Sequence, residues 1–159
     1  MEALLRRSLL SILSLINLIL IISLLLIVLW QVASRYLLND PSTVSEELAR
    51  IFLMWLGPIG AAYVYAFREH MAIDLLPQSL EGKNKQRLQI VITLISAFFA
   101  LIMIKGGCAI VSNAFTLSQK TAVLGISMGY VYIAIPLGGI LMLGILILDF
   151  LEISTALKE

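Results

Sequence analysis

From Leu9 to Trp30 the chain runs 22 residues without a charge. Ile51–Phe67, Leu88–Ile104 and Thr121–Leu148 are uncharged in the same way. A helix rises about 1.5 Å per residue and the hydrocarbon core of a bilayer is roughly 30 Å thick, so about 20 apolar residues cross it. The pattern therefore predicts four transmembrane helices, at about 9–30, 48–67, 88–115 and 121–148. The second counts its first polar turn as interfacial, and the third is expected to run on past Lys105. The fourth is longer than a crossing needs. Pro136 and the pair Gly138-Gly139 are expected to let it tilt or kink. The expected fold is an all-α integral membrane protein, a tilted four-helix bundle forming one domain over residues 1–159, without repeats or linkers. Asn39-Asp40-Pro41-Ser42 is a turn signal between the first two spans, and Pro77 and Gly82 mark a partly ordered loop between the second and third.

Lysine and arginine in short flanking segments set the direction of insertion. With the N-terminus inside, the cytoplasmic set is Arg6, Arg7, Arg68, Lys83, Lys85, Arg87 and Lys158, and the opposite set is Arg35, Arg50, Lys105 and Lys120. Seven against four favours both termini in the cytoplasm. Trp30, Tyr36 and Trp55 lie near the outer boundary or within a few turns of it, a depth that aromatic rings prefer.

Composition agrees and narrows the chemistry. Apolar residues make up 60% of the chain and charged residues 13%, with a mean hydropathy of +1.01, against about 45–50% and about 25% in soluble domains. A net charge of +1 leaves no basic footprint for nucleic acid. Cys108 has no partner for an internal disulfide, and His70 is the single histidine, so neither bis-histidine haem ligation nor a histidine-built metal site is expected. No nucleophile–base pair points to an enzyme. Arg6 and Arg7 before an apolar run resemble a signal peptide, but the run is long for one and no small-x-small cleavage site follows, so it is read as an anchored first span.

The densest polar feature is Thr43-Val-Ser-Glu46-Glu47-Leu-Ala-Arg50 at the start of the second span. Thr43-x-x-Glu46 fits a capping box, and both carboxylates sit where the helix dipole favours negative charge. Arg50 is i+4 from Glu46 and i+3 from Glu47, so one cation can reach both. Read structurally, this is a self-neutralised helix end worth only about 0.3–0.5 kcal/mol per pair. Read functionally, charges at the edge of the hydrocarbon face another polypeptide or line a polar path. Adjacent carboxylates diverge by about 100° on a helix and do not flank one substrate atom.

Other positions carry lesser signals. Arg68, His70 and Asp74 mark the cytoplasmic end of the second span, where cations meet the helix dipole. Gly57, Gly60 and Ala61 form a small-residue side on span two, and Gly125-x-x-x-Gly129 a second such pattern at the start of span four; both predict close helix packing. Asn17 predicts an interhelical hydrogen bond in span one. No span has an acidic residue near its midpoint. Lys105 is the one candidate cation, and its stem can snorkel outward. A carrier needs ion and substrate ligands at that depth, so the chain reads as a passive bundle.

Four segments in order carry a family resemblance: Arg35-Tyr-Leu-Leu-Asn39, Ser45-Glu-Glu-Leu-Ala-Arg50, Arg68-Glu-His-Met-Ala-Ile-Asp-Leu-Leu76, and Thr121-Ala-Val-Leu-Gly-Ile-Ser-Met-Gly-Tyr-Val-Tyr132 running into Ala134-Ile-Pro-Leu-Gly138. Together they resemble the small membrane subunit, the DctQ-like component, of tripartite ATP-independent periplasmic (TRAP) transporters. The resemblance implies an inner-membrane, multi-pass scaffold in a sodium symporter that imports an organic acid, such as a dicarboxylate, sialic acid or another sugar acid. It implies a large membrane subunit that carries the sodium and substrate sites, a periplasmic binding protein, and contact with membrane lipids. This chain would itself hold no cofactor. Glu46, Glu47 and Arg50, joined by Arg35, Asn39 and Asp40, are then the expected partner contacts. The alternatives are a membrane-anchor subunit of another complex, or a small self-associating channel or exporter.

Overall fold

The computed structural model describes the backbone of residues 2–71 and 83–156, and the side chains of residues 7–66 and 90–148. Among the described residues five helices follow in order: α1 (Glu2–Leu37), α2 (Thr43–Met71), α3 (Lys83–Thr116), α4 (Met128–Tyr132) and α5 (Ala134–Ala156). Among the described residues four stretches are long and apolar enough to cross a membrane: Arg7–Leu37, Thr43–Ala66, Ile90–Thr116 and Met128–Leu148. The loop with Pro77 and Gly82, together with Asp74, lies outside the described residues.

The second span begins at Thr43, five residues before the expected 48, and larger differences from expectation fall in two of the other spans. The first is longer: the 31 residues of Arg7–Leu37 rise about 46 Å, well beyond a hydrocarbon core of roughly 30 Å, so α1 must tilt or project. The fourth begins at Met128, not Thr121. Residues 121–127 carry no charge, so hydropathy cannot separate them from the helix that follows. Gly125 nevertheless takes φ +66°, and Lys120 and Ser127 form an antiparallel bridge that folds the segment back on itself.

Local chemistry sets the helix ends. Ser42, one residue before the expected cap, starts α2. Its hydroxyl accepts from the N–H of Ser45 at 3.4 Å, and its carbonyl accepts from the Ser45 hydroxyl at 2.8 Å. Glu46 is thus one position too late for the capping box drawn from Thr43. The end of α3 has the paired bonds of a Schellman turn: Gln119 N–H to Ala114 O at 3.0 Å and Ser118 N–H to Phe115 O at 3.1 Å, with Ser118 left-handed at φ +50°. The break between α4 and α5 at Ile133 sits three residues before Pro136, whose ring collides with the carbonyl four residues upstream in a continuous helix.

The helices pack in the order α1, α2, α5, α3, with α1 also touching α5 and, among the described residues, no substantial contact between α1 and α3. The fourth crossing, formed by α4 and α5, is central: 44% of its most apolar stretch is buried within the protein, against 11–17% in the other three. The core gathers Leu13, Ile59, Ala62, Ala66, Ala100, Met142, Ile145 and Leu146. Small residues matter here because lipid tails are as apolar as leucine, so helices associate through close van der Waals approach.

Close approach is concentrated on α5. A Cβ on Gly138 would come within 2.5 Å of Pro58 Cβ and 2.8 Å of its carbonyl oxygen, and one on Gly139 within 2.9 Å of Ala100 O. Gly107 of α3 meets Pro136 at 2.6 Å in the same way. These glycines seat α5 between α2 and α3. The expected seam on Gly57 and Ala61 is not used inside the molecule: both are exposed, and nothing lies within 4 Å of a Cβ on Gly57. The buried face of α2 is instead Ile59, Ala62 and Ala66. Gly60 is the exception, with Asn17 Oδ1 3.4 Å from the position of its Cβ. Asn17 is buried, and its amide donates to Leu13 O at 2.9 Å, within its own helix. Its hydrogen bond therefore runs along α1, and its contact with α2 is one of packing.

Candidate functional site

The α1–α2 turn and the segment joining α3 to α4 lie at the same end of the molecule, because successive long helices run antiparallel. Sequence neighbours Glu46, Glu47 and Arg50 are separated there by what each one binds. Glu46 and Arg50 are exposed and form an ion pair along one turn of α2. Glu47 points elsewhere. Its Oε2 accepts from the N–H of Val123 at 2.6 Å, and its two oxygens take the N–H of Leu124 at 3.3 and 3.4 Å.

Glu47 therefore ties the first turn of α2 to the segment before α4, across 76 positions of sequence. That segment needs such a partner. Its N–H groups belong to no helix, and an unpaired amide at the edge of a bilayer is costly. The remaining polar groups close on themselves. Thr121 N–H donates to Ile126 O at 2.8 Å, Ile126 N–H to Thr121 Oγ1 at 3.0 Å, and Met128 N–H to Gln119 O at 2.9 Å. Ser127 Oγ caps α4 by accepting from Gly129 N–H at 3.4 Å.

An aromatic latch completes the joint. Phe115 at the end of α3 meets Tyr130 of α4 edge to face, with centroids 5.3 Å apart and planes at 86°. The Phe115 ring comes within 2.5 Å of where Gly129 would carry a Cβ. Gly129 thus makes room for a ring. Gly125 is in the turn with open space around it, so Gly125-x-x-x-Gly129 is not a helix-packing seam.

Between α2 and this segment lies an open groove of about 480 Å³, bordered by Glu46, Arg50 and Lys120 and floored by Ile51, Met54, Met128 and Val131. Its rim carries both signs of charge and its floor is apolar. Among the described residues no three His, Cys, Asp or Glu side chains gather as a metal site.

The other expected partner contacts stand apart from this joint. Arg35, Asn39 and Asp40 are exposed at the end of α1, with the Arg35 guanidinium 6.0 Å from the Tyr36 ring centre. Asn39 is left-handed at φ +52°, and Asp40 N–H returns to Ser34 O at 3.2 Å. Among the described residues no hydrogen bond or ion pair joins these three to Glu46, Glu47 or Arg50. Arg68 and His70 end α2 with side chains outside the described residues. Thr121, Lys120 and the amides of Val123 and Leu124 were not legible as site residues. The available signal was the excess length of the uncharged run at 121–148 around Gly125.

Comparison with known proteins places this geometry in a family. Residues 24–156 match the family described as tripartite ATP-independent periplasmic transporters, DctQ component. The chain is 33% identical over 123 residues to the sialic acid TRAP transporter small permease protein SiaQ of Vibrio cholerae, covering 74% of this chain and 67% of that one. It is 33% identical over 99 residues to the C4-dicarboxylate TRAP transporter small permease protein DctQ of Rhodobacter capsulatus, covering 62% and 43%. A 27% match over 118 residues to the sialic acid TRAP transporter permease protein SiaT of Haemophilus influenzae covers 74% of this chain but 19% of that larger one. These relatives are transporter subunits and not enzymes. A four-span inner-membrane chain, matched over most of its length, belongs to the DctQ component family of TRAP transporters.

Proposed function

We propose that this chain is the static small subunit of a sodium-coupled importer of an organic acid. It braces a large membrane subunit and helps receive a periplasmic binding protein. Sodium and substrate bind in the large subunit, and this chain holds no cofactor. The reading rests on one observation above the rest: Glu47 locks the segment before α4 onto α2, which builds a rigid polar end beside an apolar-floored groove. Such a joint suits a docking rim better than a moving gate. Relatives named for sialic acid and for C4-dicarboxylates support a carboxylate substrate. The excess of flanking Lys and Arg beside the opposite end supports a periplasmic position for the Glu47 end.

The test is uptake of labelled sialic acid and of a C4-dicarboxylate into proteoliposomes under an inward sodium gradient. The full set of this chain, the large subunit and the binding protein is expected to accumulate one of them, and omission of this chain to abolish uptake. Sodium-driven accumulation by this chain alone sinks the proposal.

A further inference from the structure

Helix α3 runs unbroken through Lys105. The helix is uncharged from Leu88 to Ile104 and ends at Thr116, so Lys105 lies well inside it, about 16 Å along the axis from Thr116 and about 25 Å from Leu88. A lysine stem spans little more than one helical turn, about 5.4 Å, so the outward snorkelling expected from the sequence still leaves the ammonium short of either surface. The side chain is exposed and has no ion-pair partner among the described residues. A lone cation at that depth facing lipid is costly, and intramembrane charges normally find a partner.

The surroundings of Lys105 point the same way. Cys108, Ala109, Ser112, Asn113 and Thr116 follow it at i+3, i+4, i+7, i+8 and i+11, and all are exposed. On the preceding half of α3 the same face carries Leu94, Ile95, Phe98, Leu101 and Ile102, bulky and exposed. The outer face of α3 thus changes at mid-length from side chains suited to lipid to small and polar ones suited to a helix. Helix α1 shows no such change: Leu25, Leu26, Leu29 and Val32 keep its outer face apolar toward the same end. Ala100, Gly107 and Ala114 form the opposite, buried stripe of α3, so the Lys105 face points away from the rest of the chain.

We propose that the face of α3 from Lys105 to Thr116 contacts the large membrane subunit, through a transmembrane helix that sets a carboxylate against Lys105 near the bilayer centre. This deepens the scaffold reading and rests on it. The occupant is fixed by charge: a cation stranded at mid-depth calls for an anion, and the small residues beside it admit a helix at close range.

The test uses the tagged full chain co-expressed with its large subunit, reading the amount of large subunit retained. Lys105→Leu is expected to cut retention at least tenfold, and Lys105→Arg to keep it within twofold. Leucine inserts into lipid more readily than lysine, so the loss cannot come from failed insertion; an unchanged helical circular dichroism spectrum confirms this. A photo-reactive side chain at Ser112 is expected to cross-link to the large subunit, and one at Leu18 on the lipid side of α1 to lipid. Wild-type retention by Lys105→Leu, or Ser112 adducts with lipid alone, overturns the contact while leaving the scaffold reading intact. If the unaltered chain retains no large subunit, the scaffold reading falls and this contact with it.

Discussion

At the scale of single residues, Glu46 and Glu47 show how neighbours with one chemistry acquire different tasks. Glu46 spends its charge on Arg50 in solvent, where an i,i+4 pair contributes about 0.3–0.5 kcal/mol. Arg50→Gln should therefore shift the melting temperature of the purified chain by no more than a degree or two. Among the described residues Glu47 is the one side-chain acceptor for the amides of Val123 and Leu124. Glu47→Gln keeps the size but turns an amide donor toward other donors and removes the charge that strengthens these bonds. Hydrogen exchange at Val123 and Leu124 should accelerate at least tenfold with helix content unchanged. Equal protection in the variant would show that the clamp is incidental. The pairing of Arg50 with Glu46 was legible from spacing. The partner of Glu47 was not, because no local rule reaches 76 positions along a chain.

At the scale of elements, the interruption near Ile133 and the glycines after it act as one device. Pro136 breaks the helix at the depth where Gly107 of α3 comes closest, and Gly138 and Gly139 then admit α2 on one side and α3 on the other. Gly138→Leu has no space against the backbone of Pro58 and should prevent stable folding. Gly138→Ala must displace that backbone by several tenths of an ångström and should cost about 1–3 kcal/mol in detergent unfolding. Gly57→Ala, with open space around it, should be neutral in the isolated chain. If it weakens co-purification of the large subunit, that exposed face of α2 is a contact too. Glycine content alone did not separate these cases. Every one of these glycines lies in or beside an apolar run, and only the position of the facing helix tells a seam from a surface.

At the scale of the whole molecule, α5 is the axis, with α2 on one flank and α3 on the other, and α1 is laid outside α2. The arrangement is open, so much of α1 and α3 faces outward and is available to lipid or a partner. Orientation is checkable on intact cells in a Cys108→Ser background. Ser118→Cys, at the exposed end of α3, should react with a membrane-impermeant maleimide from the periplasmic side. Labelling only after the membrane is opened would invert the topology and move the Glu47 end to the cytoplasm.

The sequence by itself determined the class of solvent and the number of crossings, because four uncharged runs of this length have no other stable home than lipid. It also carried the family, through short polar motifs kept in order between those runs. Tertiary structure decided where the fourth crossing begins, since residues 121–127 are as uncharged as a span and stay out of the helix through a glycine turn and a carboxylate from α2. It also decided which glycines pack. Hydropathy sums over single residues, whereas a hydrogen bond across the molecule or a backbone within 3 Å exists only once two distant helices have met.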